Sequence, residues 1–294
     1  MPIDFNDATK FLDDPAMLRR LAERDGYLFL RKYINEDVVL ELRRKILDVL
    51  DSFGCLKPNG SRADDIINTD WLANTEDFCG SGVPKRIYTE IQRLEEFNSF
   101  PHNSRLTSFY ESFLQAPVLV HPGLIGRIIL PGGFATPPHQ DFVHTKGSIH
   151  TWTCWVPLGN VERSLGSLSV LPGSNRNGVY PTKPKSNGGM ETLLPENTHG
   201  WVGGDFEIGD LLVFSGLTVH KALPNLSGDR VRLSVDYRFQ PVAEPISPNC
   251  LLPHGNGQSW DDIYSSWSQK HLQYYWKHRD IKIIGPESVA ATID

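Results

Sequence analysis

The spacing of apolar and polar positions changes character along the chain. Over residues 14–25, Asp14 as cap, Pro15 in the first helical position and Gly26 as terminator predict a helix, and a short apolar strand follows from Tyr27 to Tyr33. Asn35 offers a second cap, with Glu36 and Asp37 in the first turn. Val39, Leu42, Ile46, Val49 and Phe53 then recur at helical spacing, which predicts an amphipathic helix packed on a sheet. Residues 55–83 are rich in Gly, Asn, Asp and Ser and read as a loop region, a candidate cover for a pocket. Two more helices are expected near 84–98 and 104–115.

From Val118 to Gln240 the pattern is one of short apolar runs separated by Gly/Pro turns, with no helical period between them. That predicts an antiparallel sandwich or barrel rather than alternating βαβ units. Residues 179–204 interrupt it with a polar, Pro/Gly-rich insertion that reads as too irregular for a strand pair and long enough to be functional. After Pro241, Ser259 is placed to cap a helix carrying Trp260, Ile263, Trp267, Leu272 and Trp276, whose aromatic side docks on the domain. The organisation expected is a single domain spanning 1–294: a helical region at 1–117, a β core at 118–240 and a tail at 241–294.

Composition adds exclusions. With 294 residues, 39% hydrophobic and 22% charged, the chain can bury a sizeable core. A net charge of −6 and the lack of any Lys/Arg run argue against a nucleic-acid partner. No membrane span or amino-terminal signal is expected, so the reading is a cytoplasmic protein acting on a small molecule. Cys55, Cys79, Cys154 and Cys250 are scattered, without C-x-x-C pairing, and read as reduced thiols. The tryptophan-rich tail is a candidate homodimer face.

The chemistry centres on Thr136-Pro137-Pro138-His139-Gln140-Asp141 and Val219-His220. A histidine and a carboxylate two apart, joined by a distant histidine, can occupy one face of a metal ion and leave the other open, the arrangement of non-haem Fe(II) oxygenases. On a strand, His139 and Asp141 would share a side and Gln140 would point away. H-x-D alone is a common match in a chain with ten histidines. Its setting strengthens it: Arg127-Ile-Ile-Leu-Pro-Gly-Gly upstream and Gly209-Asp-Leu-Leu-Val-Phe-Ser-Gly before His220 read as strands that end in turns, and a third strand, Arg230-Val-Arg-Leu-Ser-Val-Asp-Tyr-Arg-Phe, follows.

With Gly26-Tyr-Leu-Phe-Leu-Arg, Pro138-His-Gln-Asp, Gly166-Ser-Leu-Ser-Val-Leu-Pro-Gly-Ser-Asn, and His220-Lys-Ala-Leu-Pro-Asn-Leu-Ser through Arg232-Leu-Ser-Val-Asp-Tyr-Arg-Phe-Gln, the chain resembles the phytanoyl-CoA dioxygenase-like family of Fe(II)/2-oxoglutarate oxygenases over about residues 20–240. The resemblance implies a mainly β fold with flanking helices around a double-stranded β-helix, a jelly-roll or cupin-like core. It also implies Fe(II), 2-oxoglutarate as co-substrate and O2, with His139, Asp141 and His220 as ligands. Succinate and CO2 would be released as substrate is oxidised. In related halogenases a small residue stands where Asp141 stands here, so oxygen chemistry is expected.

A fixed cation is needed for the distal carboxylate of 2-oxoglutarate, and arginine suits it because its planar fork engages both oxygens. Alternation cannot choose between Arg230 and Arg232; Arg232 is preferred because Arg232-x-Ser234 matches a pattern of related oxygenases in which Ser234 adds a hydrogen bond. Family enzymes carry a tryptophan beside the co-substrate, matched better by Trp155 than by Trp152, and Arg127 is a further candidate contact. The substrate expected is a small metabolite, such as a natural-product intermediate, bound between 55–83, 179–204 and the aromatic tail. Lys183 and Lys185 are the only basic pair near a pocket mouth, too little for a CoA thioester. The rival readings are a jelly-roll metal enzyme without 2-oxoglutarate (a cupin-type dioxygenase or isomerase), a zinc hydrolase, or a catalytically silent binding protein.

Overall fold

The computed structural model describes residues 3–58, 60, 65–133, 135–185, 189–255 and 257–285. Parts of the two loop regions read from the sequence, Asn59 and Ser61 to Asp64 in one and Ser186 to Gly188 in the other, lie outside the described residues. In chain order the elements are α1 (Pro15–Asp25), β1 (Tyr27–Leu30), α2 (Glu36–Ser52), α3 (Thr69–Ala73), α4 (Lys85–Arg93), α5 (Glu95–Ser99) and α6 (Ser104–Leu114). The β core follows with β2 (Val118–Val120), β3 (Ile125–Ile129), α7 (Phe142–Thr145), β4 (Trp152–Pro157), β5 (Leu168–Val170), β6 (Thr182–Pro184), β7 (Met190–Thr192), β8 (Val202–Gly203), β9 (Leu211–Ser215), β10 (His220–Ala222) and β11 (Arg232–Pro241), and α8 (Trp260–Tyr264) lies in the tail.

The caps behave as the sequence implies: the Asp14 side chain accepts from Met17 N, Asn35 from Asp37 N, and Gly26 ends α1 at φ +78°. A Cβ at Gly26 would stand 2.5 Å from Thr218 Oγ1, so glycine lets the end of α1 close on the turn that leads to His220. That hydroxyl donates to Gly26 O at 2.6 Å.

Two antiparallel sheets form the jelly roll. The larger has the order β1-β9-β4-β11-β2, with β3 also on β11; the smaller is β10-β5-β8. β1 is therefore an edge strand of the core, although it lies in the part of the chain read as helical. Strand alternation gives β11 two faces. Leu233, Val235, Tyr237 and Phe239 pack against the helices, with Tyr110 stacked on Phe239 at 3.9 Å between ring centroids. Arg232, Ser234, Asp236, Arg238 and Gln240 turn instead to the space between the sheets, where Trp155, Phe214 and Val170 pack. Burial of large aromatics on both faces, worth roughly 1.5–3 kcal/mol each, holds this row of polar groups in register.

Three local expectations need correction. The insertion is not wholly irregular: β6 and β7 pair antiparallel, Thr182 with Thr192 and Pro184 with Met190, because β-branched and extended residues flank its glycines. The tail helix is short. Ser259 and Asp262 form a capping box, but α8 ends at Tyr264, and Trp267 and Trp276 follow on turns. All three tryptophans pack together over Leu119 and Ile246, with Trp267 Nε1 donating to Arg93 O at 3.0 Å. The third concerns Asp141, which lies outside any strand: it has helical backbone angles and opens α7. No helix among the described residues is long and apolar enough to cross a membrane.

His121, 1% exposed, is held at Nε2 by Gln240 Oε1 at 2.7 Å, while its Nδ1 is buried without a partner. Burial pulls its pKa down to about 4. Between that value and the ordinary one of about 6.5, the unfolded chain binds a proton that the folded chain does not, so stability falls as pH drops through this window. We expect a loss of roughly 2–3 kcal/mol from this group between pH 7 and 4.5. Denaturant midpoints at the two pH values should drop further for the wild type than for His121→Gln; equal drops would show that His121 is not the buried neutral group described.

Candidate metal centre

Backbone pairing brings the two histidines together. His139 N donates to His220 O at 2.9 Å and His220 N to His139 O at 3.0 Å. They are thus directly opposed across an antiparallel bridge that adds the His139 segment to the edge of β10. Their rings emerge on one side, with centroids 4.1 Å apart. Each Nδ1 hydrogen-bonds to the carbonyl two residues earlier, Pro137 O at 2.9 Å and Thr218 O at 3.0 Å. A carbonyl only accepts, so Nδ1 carries the proton and the Nε2 lone pair is left available. Burial, reinforced by His220, holds His139 well below the ordinary histidine pKa. Burial lowers His220 too, against the pull of Asp141. Both rings are therefore neutral at pH 7, the form that ligates metals.

Asp141 reaches the same point because α7 starts there. Burial disfavours its charge, yet Arg238, the two imidazoles and the Thr153 hydroxyl together outweigh burial and hold the carboxyl well below the usual range. Thr153 Oγ1 donates to Oδ2 at 2.6 Å, and Arg238 Nη2 lies 3.2 Å from the same oxygen. Oδ1 is left facing Nε2 of His139 at 3.8 Å and Nε2 of His220 at 3.9 Å. These gaps are too wide for hydrogen bonds. The three ligand atoms lie within 4.8 Å of one another, so two neutral imidazoles and one carboxylate can surround a single ion. Gln140 points away: its amide donates to Gly178 O and Leu217 O and accepts from Tyr180 N, fastening the insertion to the loop before His220.

The other residues singled out from the sequence fall in different places. Arg232 is 2% exposed on the inner face of β11, its Nη1 donating to Ser234 Oγ and its guanidinium 5.9 Å from the Trp155 ring. Its Nε is buried with no partner. Burial lowers its pKa to about 9, which leaves it positive at neutral pH. Arg230 precedes the strand and turns to the surface, 3.9 Å from Glu162 Oε1. Trp155 packs between the sheets against Phe206, whereas Trp152 faces the helices and Phe113. Arg127 is paired with Asp236 at 2.9 Å.

A cavity of about 850 Å³ opens on His139 and Asp141. Leu72 and Phe78 from the first loop region, Lys185 from the insertion, and Leu252 and His254 from the segment before α8 line it, as does Arg127. Neither the tail tryptophans nor the enclosed Arg232 does. Sequence reading missed Thr153 and Arg238. Arg238 was within reach, since alternation from Arg232 turns it inward; Thr153 carried no signal apart from its partner.

Replacing Thr153 by Val removes the hydroxyl that fixes Asp141, and losses of this kind cost about 10- to 100-fold in metal affinity. A titration of metal-free protein with Mn(II) should show that weakening with an unchanged circular dichroism spectrum. Wild-type affinity in the variant would mean that the hydroxyl does not orient the ligand.

The likenesses to known proteins agree with this geometry. The chain is 26% identical over 268 residues to the 1-deoxypentalenic acid 11-beta-hydroxylase of Streptomyces exfoliatus, covering 85% of this chain and 89% of that one. Among solved structures it shares its fold with the epimerase SnoN in complex with Fe3+, alpha ketoglutarate and nogalamycin RO, at 21% identity and a TM-score of 0.54, covering 83% of this chain and 93% of that one. EvdO2 from Micromonospora carbonacea var. aurantiaca, complexed with 2-oxoglutarate, matches at 20% identity and a TM-score of 0.54, covering 83% and 95% of the two chains. The family model for phytanoyl-CoA dioxygenase (PhyH) matches residues 22–233, most of the chain, and this protein belongs to that family.

Proposed function

We propose that the protein is a non-haem Fe(II)- and 2-oxoglutarate-dependent dioxygenase that oxidises a small organic metabolite and releases succinate and CO2. The observation that carries the reading is the pairing of two features in one jelly-roll interior: a buried two-histidine-one-carboxylate cluster, and a buried arginine that has no carboxylate within ion-pair distance among the described residues. His139, Asp141 and His220 would hold Fe(II), which when bound supplies oxygen activation coupled to decarboxylation of the co-substrate.

Arg232 would take the distal carboxylate of 2-oxoglutarate. A lone buried cation is costly, and a carboxylate would supply both the missing counter-charge and an acceptor for its unpartnered Nε. Ser234 would add a hydroxyl and Trp155 a flat apolar wall. Arg230, engaged with Glu162 at the surface, is left out of this role, and Arg127 is the cavity-lining cation one strand away. The need for a buried arginine favours this reading over a cupin-type enzyme or a zinc hydrolase, neither of which requires one.

The cavity would hold the substrate against the open side of the metal, sized for a drug-like ligand. Of the three Lys/Arg side chains that line it, Arg127 and Arg238 are already paired with carboxylates, which argues against a multiply charged CoA thioester, and a relative that hydroxylates 1-deoxypentalenic acid supports a natural-product intermediate. Hydroxylation, desaturation, ring formation and rearrangement all start from removal of a substrate hydrogen, so the outcome is decided by which C–H bond the wall turns to the metal.

Anaerobic addition of Fe(II) and then 2-oxoglutarate to metal-free protein should produce a broad visible charge-transfer band. Arg232→Ala should need at least about a hundredfold more 2-oxoglutarate, the cost of leaving a charge partner unanswered, while Arg230→Ala titrates as wild type. Absence of the band in wild-type protein would defeat the oxygenase reading; equal behaviour of the two variants would defeat the assignment of Arg232.

A further inference from the structure

The charges around the cavity do not balance. Arg127 is answered by Asp236 at 2.9 Å and Arg238 by Asp141 at 3.2 Å. Lys185, just after β6, lines the same cavity and has no carboxylate within ion-pair distance among the described residues; the hairpin's own acid, Glu191, lies 3.3 Å from Lys183 instead. These three cations outnumber Asp141 and Asp236 by one. Fe(II) and 2-oxoglutarate bring equal and opposite charge, so loading both leaves the excess in place.

Geometry directs Lys185 inward. A Cβ added at Gly189 would lie 3.5 Å from both Lys185 Nζ and His144 Cε1, so the ammonium and that imidazole converge on one spot over the glycine. His144 is itself a cavity residue, three positions after Asp141. Burial lowers the pKa of Lys185 from its ordinary value, and Arg127 adds to the effect while Glu191, beyond ion-pair distance, opposes it, as expected of an ammonium in partly desolvated space. Leu72, Phe78, Ile125, Ile129 and Leu252 give the wall its apolar part, with uncharged polar side chains such as Thr136 and Asn249 among them. Unanswered charge in such a space attracts a ligand of opposite sign.

Resting on the oxygenase reading above, we infer that the substrate has an apolar skeleton bearing one acidic group, and that Lys185 is the residue that holds that group. A single ammonium is a compact point charge with three donors, and one such unanswered charge is balanced by one singly charged acid. Held there, the acid anchors one end of the substrate at the hairpin while the apolar body fills the space up to the metal.

Two fluorescent probes with one skeleton separate charge from shape: 8-anilinonaphthalene-1-sulfonate and its uncharged parent, N-phenyl-1-naphthylamine. In protein loaded anaerobically with Fe(II) and 2-oxoglutarate, the sulfonate should bind about tenfold more tightly than the parent or better. Lys185→Met should bring the two within about threefold, and Lys185→Arg should restore most of the preference. No preference in the wild type, or an unchanged preference in Lys185→Met, would overturn the inference. The 2-oxoglutarate band of the wild type keeps the two failures apart: if it forms and the probe ratio does not respond to Lys185, only the acidic-substrate inference falls.

Discussion

The two N–H···O bonds exchanged by His139 and His220 tie a loop with no regular structure of its own to the edge of β10, and the site is assembled on that tie. Because the pair is hydrogen-bonded antiparallel, the rings must emerge together. Because each Nδ1 is spent on a nearby carbonyl, each Nε2 must face outward. The backbone thus fixes the position and the tautomer of both imidazoles before any metal is present, which is what makes a ligand set preorganised.

The third member comes by another route. Asp141 is carried in on the first turn of α7 and aimed by Thr153 and Arg238 from the larger sheet. The cluster therefore spans both sheets of the jelly roll, its histidines on the small sheet and its carboxylate braced by the large one. Arg238 serves twice, holding Asp141 ionised and adding to the positive field of the cavity. The inward row of β11 runs from this brace to Arg232, so one strand links the metal cluster to the arginine assigned to the co-substrate.

Much of the fold was legible because its signals are local. Asp14, Asn35 and Ser259 cap the helices that their sequence neighbourhoods announced, and the strand periods of the core reflect a sheet with one face on helices and one on its partner sheet. The boundaries that failed did so for tertiary reasons. Trp267 and Trp276 suggested a longer helix because they pack with Trp260, yet they meet it from turns. The insertion contains a hairpin whose strands are too short to show a period. Asp141 belongs to a helical turn although its spacing from His139 fits a strand, since a bridge followed by a turn also places the two side chains together.

By itself, the sequence determined the chemical inventory: a histidine-carboxylate-histidine set, a serine two residues from an arginine, and a β core able to bury them. Which arginine lies inside, Arg232 or Arg230, was decided only by where β11 begins, because the side chain of a residue outside the strand is not bound by its alternation. The structure likewise turned Trp155 inward and Trp152 outward, brought Thr153 and Arg238 onto Asp141, and set Lys185 over a cavity that it shares with residues distant in sequence. Those relations are carried by the packing of two sheets and three loops, and no spacing along a single chain encodes which charges will be left without a partner.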